Sequence, residues 1–309
     1  MRTISIPMSD TDQLVYLFES QHALGTVIFL HGAGEYALKY ERFAKALSES
    51  GYHVCLYDQI GHGNMAKELN YIHFSDQDGV LKIFDLLKNV IDVAAMIDKH
   101  LPVYLMGHSM GSFIARAYLN TYNTTFDGHL FTGTTLINSN RLALGLRLGK
   151  SIKHIKGPKH ISALFTKTMQ DKPYQSMKKR GLIQERFEWV TSDKSMQEKY
   201  RHDPLMHHPF TISTQLDILH MMRLAQRRCL LKESASHNLF YFMSGAMDAL
   251  CEYGTGVKNL FKYYQKLGYT NLDYKIYPDV RHELLHDRTY KQVTKDIITI
   301  LNKERKPKD

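Results

Sequence analysis

The sequence predicts an α/β fold: a mostly parallel central sheet flanked by helices, with a helical cap inserted into the series. Short apolar strand candidates alternate with helical patterns along most of the chain, the arrangement that produces a parallel sheet covered on both faces. A strand, a glycine-flanked serine and a helix follow one another around position 109. The alternation lapses over one basic, histidine-rich stretch, 141–210, and then resumes. With 309 residues, 43% of them hydrophobic, the chain can bury a substantial core, and one domain with an insertion is the default. The expected division is a core of residues 1–140 and 211–309 around a cap, or lid, of residues 141–210.

Taken in order, the strand candidates lie at 27–30, 53–57, 103–106, 136–137, 239–243 and 274–277, all short and, apart from His53 and Lys275, apolar, as buried parallel strands are. Ile83, Leu86, Leu87, Val90, Val93, Ala94 and Ile97 form a helical stripe before the third candidate. Phe113, Ile114, Ala117 and Tyr118 form one after it, and Val293, Ile297, Ile300 and Leu301 form a terminal one. These stripes are core faces. The run 303–309 reads as a frayed polar tail.

Composition narrows the class. Arg2, Asp10 and Asp12 interrupt the apolar residues at the start, and no run of about 18 apolar residues occurs, so neither a signal peptide nor a membrane span is expected. The cytoplasmic compartment follows as an expectation. Cys55, Cys229 and Cys251 are odd in number and lack a C-x-x-C spacing, which speaks against a disulfide framework and a zinc site; they read as buried thiols. The formal net charge of +9 is localised: between Arg141 and Gln215 stand fifteen Lys and Arg against six Asp and Glu, and the rest of the chain balances. No aromatic-basic recognition motif accompanies that excess, so no nucleic-acid partner is expected.

The chemistry is carried by Gly107-His108-Ser109-Met110-Gly111, directly after an apolar strand. A serine hydroxyl is a poor nucleophile until a base takes its proton, so it must project from a tight strand-to-helix turn, and glycines two residues away on each side let the elements approach. The base and the acid that orients it are then expected in the order Ser, Asp, His. Asp248, in Ser244-Gly245-Ala246-Met247-Asp248, follows the candidate at 239–243, and His282 follows that at 274–277; both sit in loops beyond strand ends. Asp279 and Asp287 are the rivals for the acid and read as solvated. Among seventeen histidines only His282 combines strand end, chain order and separation. His108 reads as packing beneath the turn, His31 and His62 as turn residues, and His207, His208 and His220 as solvated or core-satisfied positions in or near the cap. The oxyanion hole is expected from the amide of Met110 and that of Ala33, in the loop His31-Gly32-Ala33-Gly34-Glu35-Tyr36 after the first candidate strand. The glycine turn from Asp58 to Gly63 reads as scaffolding.

Together these residues resemble the monoacylglycerol lipase and lysophospholipase branch of the α/β-hydrolases. The likeness rests on His31 to Glu35 with Tyr40, on Asp58 to Gly63, on Gly107 to Gly111, on Ser244-Gly245 with Asp248, and on Arg281-His282-Glu283. Asp203-Pro204-Leu205, Phe210-Thr211, Glu252-Tyr253-Gly254 and Gly256-Val257 are similar to bacterial lysophospholipases and the serine aminopeptidase S33 group. The resemblance implies an α/β-hydrolase fold, the triad Ser109, Asp248 and His282, and Ala33 and Met110 as oxyanion donors, with no cofactor and no metal. The chain departs from the family at Ile60, where Arg is usual, at Ser112, where a third glycine is frequent, and at Ala249, where Pro often follows the acid.

The expected reaction is hydrolysis of a small-molecule acyl ester through an acyl-enzyme. Leu142, Leu144, Leu146, Leu148, Ile161, Leu164 and Phe165 interleave with the basic residues of the cap. Two readings of that pattern stand side by side: an apolar acyl pocket under a positive rim, or packing of the cap on the core beneath a solvated basic face. The stretch 142–148 amid cations also permits weak contact with a membrane surface. A peptidase acting on N-terminal residues is the alternative enzyme, disfavoured by the basic cap. A catalytically silent binding protein is the alternative from outside enzymology, disfavoured by a complete set of nucleophile, base, acid and oxyanion loop.

Overall fold

The computed structural model describes residues 1–8, 12–122, 124, 126–169, 171–227 and 237–304. Eight strands form one sheet: β1 (Arg2–Ile6), β2 (Gln13–Phe18), β3 (Gly25–Leu30), β4 (Tyr52–Tyr57), β5 (Val103–His108), β6 (Gly128–Thr132), β7 (Leu239–Gly245) and β8 (Leu272–Tyr277). Their order across the sheet is β1-β2-β4-β3-β5-β6-β7-β8. Strands β4 to β8 and β3 run parallel, while β1 and β2 extend one edge antiparallel. The helices, in chain order, are α1 (Glu41–Glu49), α2 (Asn64–Leu69), α3 (Gly79–Ile97), α4 (Met110–Tyr122), α5 (Ser139–Lys156), α6 (Ala163–Met169), α7 (Lys172–Lys179), α8 (Lys194–His202), α9 (Ile212–Leu224), α10 (Thr255–Lys266) and α11 (Tyr290–Lys303).

Alternation along the buried strands divides the core into two layers. Ile28, Leu30, Leu105, Phe131 and Phe242 face α3, α4 and α10. Val27, Phe29, Tyr104, Met106 and Leu130 face α1 and α11. This is the α/β-hydrolase arrangement that the sequence predicts, with the helical stripes on α3, α4 and α11 turned inward.

One strand assignment needs correction. Leu136 and Ile137 lie in a loop, and the strand of that region is β6, eight residues earlier at its start. Gly128 and His129 disguise it: His129 is buried, with its ring stacked on Phe240 at 4.1 Å and Nδ1 bonded to the Leu239 carbonyl at 3.0 Å. The edge pair β1 and β2 is a further addition to the predicted set.

Helices α5 to α9 occupy the connection between β6 and β7. Leu142, Leu146 and Phe165 pack with Ile212, Leu216 and Leu219 of α9 in a third apolar cluster. Leu144, Leu148, Ile161 and Leu164 are instead exposed. Cys55 and Cys251 are buried free thiols. Cys229 and the tail 305–309 lie outside the described residues. No helix among the described residues is long and apolar enough to cross a membrane.

The first turn of α4 lies directly against the end of β3. A Cβ at Gly111 would stand 2.2 Å from the Leu30 carbonyl oxygen, and one at Gly107 would stand 2.7 Å from the Gly111 carbonyl. Both obstacles are backbone, which cannot swing aside as a side chain can. Gly111→Ala is therefore expected to destabilise the protein by about 3 kcal/mol, the upper part of the range for overpacking a core. Chemical denaturation measures it, and a loss near zero would show that β3 and α4 can separate.

Candidate active site

Ser109 sits between β5 and α4 with φ at +49°, a left-handed conformation that is rare for a side chain with a Cβ and is held by its surroundings. Its amide donates to the Thr132 carbonyl of β6 at 2.9 Å, and its carbonyl accepts from the Ser112 hydroxyl at 2.6 Å. Ser112 thus braces the turn.

The structure brings together the three residues that chain order selected. The Ser109 hydroxyl lies 2.9 Å from His282 Nε2, and His282 Nδ1 lies 2.8 Å from Asp248 Oδ2. Asp248 is fully buried, and its other oxygen accepts from the amides of Leu250 at 2.8 Å and Cys251 at 3.3 Å. Burial opposes charge on both partners. For Asp248 burial is the largest single influence, but the interaction with His282 and the hydrogen bonds from Cys251 together outweigh it and hold its pKa below the usual value. For His282 burial is again the largest single influence, but Asp248, with Glu283 and Glu35 beyond it, outweighs burial and raises its pKa above the ordinary 6.5. A carboxylate on the Nδ1 side places that proton on Nδ1 and leaves Nε2 free to accept from the serine. Of the rival acids, Asp279 is exposed, and Asp287 receives the amides of Arg281 at 2.8 Å and Ser192 at 3.1 Å, which commits it to shaping the loop.

The loop after β3 is braced on both sides. Gly32 N–H donates to Glu35 Oε2 at 2.7 Å and Gly34 N–H to His62 Nε2 at 3.2 Å. Ala33 lies between them, and among the described residues no acceptor meets its amide or that of Met110. His31 Nε2 accepts from the Gln59 amide at 2.9 Å, and the Asp58 carboxylate accepts from the Ala37 amide at 2.6 Å. His31 and His62 are thus braces of this loop as well as turn residues. His108 bonds Thr132 Oγ1 at 2.9 Å with its ring 4.9 Å from that of His282, and burial pushes its pKa down to about 3.

Several groups at the site escape sequence reasoning. Trp189, the only tryptophan, stacks on His282 at 4.8 Å with the ring planes 25° apart. Lys39 is buried between two carboxylates, 2.5 Å from Glu35 Oε1 and 2.9 Å from Glu283 Oε1. Tyr40 donates to Glu35 at 2.8 Å, and Tyr200 of α8 donates to Glu283. One cation therefore faces two carboxylates. Burial resists charge on Glu35, but Lys39 and its hydrogen bonds hold it ionised. Burial and the Glu35 charge push Glu283 up to about 7 against the pull of Lys39. Glu35, Tyr40 and Glu283 stand in the strings that carry the resemblance, but nothing in the sequence signals that Lys39 and Tyr200 join them in one cluster.

Above Ser109 opens a cavity of about 720 Å³ that reaches Ala33, Met110 and His282 and is lined by Phe165, Phe187, Trp189 and Leu219 among others. Its outer wall comes from α5, α6, α7 and the stretches 186–190 and 206–210, which lie in the segment 141–210 predicted as a cap, and from α9, which follows that segment.

A family model described as serine aminopeptidase, S33 (Hydrolase_4) matches residues 21–289. The chain belongs to this family. Within it, the chain is similar to phospholipase YtpA of Bacillus subtilis, with 32% identity over 101 residues, covering 33% of this chain and 36% of that protein. The monoglyceride lipase of Homo sapiens is 36% identical over 121 residues, covering 36% and 38% respectively. These matches span only about a third of the curated relatives' length. The solved structure of a thermostable carboxyl esterase from Bacillus coagulans superposes with a TM-score of 0.85 at 20% identity, covering 99% of both chains. A soluble variant of monoglyceride lipase from Saccharomyces cerevisiae gives 0.72 at 16%, covering 98% of this chain and 95% of that one. The two structures share the fold of this S33 chain.

The cluster makes a directional statement about the S33 site. Glu283 is one of the charges that raise the His282 pKa, so Glu283→Gln should move the imidazole titration to lower pH, read from its ring-proton NMR resonances. An unmoved or raised midpoint would show that the two groups are electrically insulated.

Proposed function

We propose that this chain is a serine carboxylic-ester hydrolase acting on monoacylglycerol- or lysophospholipid-like acyl esters. The observation that carries the reading is the hydrogen-bonded series Ser109, His282 and Asp248, at 2.9 and 2.8 Å, on the floor of a largely apolar cavity. In the proposed reaction His282 Nε2 takes the Ser109 proton as the oxygen attacks the ester carbonyl. The Ala33 and Met110 amides receive the oxyanion; both residues line the cavity, and among the described residues neither amide has a competing acceptor. His282 then protonates the departing alcohol, and a water activated by the same ring releases the acid. Because the base must be neutral, activity should rise with pH as His282 loses its proton, above the ordinary histidine range.

Residues 141–210 act in this reading as the cap over an acyl chain. The names of the relatives, a phospholipase and monoglyceride lipases, support lipid esters as the substrate class. The S33 family name itself favours a second reading, removal of N-terminal residues from peptides. Three of the four carboxylates lining the cavity are already engaged, Glu35 and Glu283 by Lys39 and Asp171 by Arg186 at 2.6 Å, which leaves Glu252 alone to receive an amine and weighs against that reading.

Labelling with a fluorophosphonate probe and peptide mapping test the proposal. The label is expected on the Ser109 peptide and absent from Ser109→Ala, whose turnover of mono- and lysophospho-lipid esters should fall by roughly 10⁴-fold or more. Activity on aminoacyl-arylamides without activity on esters would overturn it in favour of the peptidase.

The cap also carries a proposed membrane contact. Leu144, Leu148 and Ile155 of α5, a helix rich in Lys and Arg, are 58, 52 and 73% exposed, and Leu164 of the adjoining α6 is 73% exposed. Flotation with anionic vesicles should recover the protein at low salt, and the double variant Leu144→Ser, Leu148→Ser should reduce that recovery severalfold. Equal recovery of both proteins would remove these leucines from the contact.

A further inference from the structure

Between α8 and α9 the chain crosses the loop that carries Ala33, and it is pinned there at three points. The Tyr36 hydroxyl donates to Asp203 at 2.9 Å, the His207 amide donates to the Gly34 carbonyl at 3.3 Å, and the Phe210 ring packs beside Gly34. His207 is therefore tied by its own backbone to the residue next to the proposed oxyanion donor. Its φ is +66°, a strained conformation for a residue with a side chain, and the strain is upheld by those neighbouring contacts.

The ring is placed for contact with a ligand. It rests on Phe187 with centroids 4.4 Å apart, two residues before the Trp189 that covers His282. It lines the cavity, and its surface is open although protein surrounds it on most sides, the condition of a side chain that faces into a pocket. Among the described residues neither ring nitrogen meets a hydrogen-bond partner. Burial, with Lys39 and Arg186 nearby, pushes its pKa down to about 4, so at neutral pH it is an uncharged imidazole with one donor and one acceptor. Such a ring suits neutral hydroxyls; a phosphate would want a cation. The nearby Arg186 is already paired with Asp171.

The geometry points to His207 as the specificity-determining residue that receives the hydroxyls of the ester's alcohol portion, on the side of the cavity bounded by the Ala33 loop. It is a binding group for a vicinal diol, distinct from the proton relay of His282. The inference rests on the reading of Ser109 as the nucleophile for its purpose, but it can be tested by binding alone.

Calorimetry on the full chain would compare 1-O-octylglycerol with octyl methyl ether, two non-hydrolysable ligands that share an alkyl chain and differ in the diol. The wild type is expected to bind the diol roughly tenfold more tightly, the worth of about one good hydrogen bond. His207→Phe keeps a flat ring against Phe187 and should erase the difference. His207→Asn keeps a hydrogen-bonding group that tolerates the left-handed backbone and should retain most of it. Equal affinities in the wild type, or a diol preference that survives in His207→Phe, would overturn the proposal. A measurement without variants serves if the substitutions fail to fold: the His207 ring resonances should shift with the diol ether and not with the methyl ether, and the same response to both would overturn it. Ester hydrolysis enters neither measurement. A diol preference in a protein that cleaves no ester would refute the role of Ser109 and leave that of His207 standing.

Discussion

Everything at the site depends on two backbones lying against each other without a side chain between them. Gly111 in the first turn of α4 meets the Leu30 carbonyl at the end of β3. That approach does more than allow the turn at Ser109. Leu30 leads directly into the loop that carries Ala33, and Met110 immediately precedes Gly111. One close contact therefore sets the spacing of two amides that lie 77 positions apart in the chain. The strain at Ser109, with φ at +49°, is sustained by the same packing and by the ladder of β5 and β6, through Thr132.

A second tie is ionic. Lys39 and Glu35 belong to the segment after β3, Glu283 follows His282, and Tyr200 belongs to α8. Burying a cation with two carboxylates is expensive, and apolar side chains of similar volume often stabilise such a position as well or better. What the cluster does supply is direction: each hydrogen bond admits one partner geometry, so three segments from distant parts of the chain are held in a single register. The loop at 281–287 is stitched to residues 188–192 in the same way, through the Glu283 amide to the Val190 carbonyl at 2.7 Å and the Thr191 hydroxyl to the His286 carbonyl at 2.8 Å.

The legible part of this molecule was the part governed by local rules. Unbroken apolar runs marked β3, β4, β5 and β7, because a parallel strand buried on both faces has no room for polar residues. Strand β6 was hidden by Gly128 and by His129, a polar residue whose partners, Leu239 and Phe240, lie over a hundred positions away. The edge strand β1 was hidden for the opposite reason, since most of its residues face solvent and carry little apolar signal. At the site, chain order and strand ends were enough to select Ser109, Asp248 and His282. The positions of Lys39, Trp189 and His207 were not legible, because a basic residue, an aromatic residue and a histidine each have an ordinary surface or core explanation until the fold brings them to one cavity. Sequence pattern reports what a residue needs from its neighbours in the chain; these three take their meaning from neighbours across it.

The stacking of Trp189 on His282 gives the protein a built-in optical label. Because it is the only tryptophan, indole emission in this protein comes from one ring lying 4.8 Å from the imidazole. That ring belongs to the stretch between β6 and β7, whereas the imidazole belongs to the stretch after β8. Any lifting of the first away from the second must separate the two rings, and any change in charge on the imidazole must alter the electric field at the indole. Steady-state fluorescence thus watches the closure of the cavity and the ionisation of its histidine through a single native chromophore, with no dye to perturb either.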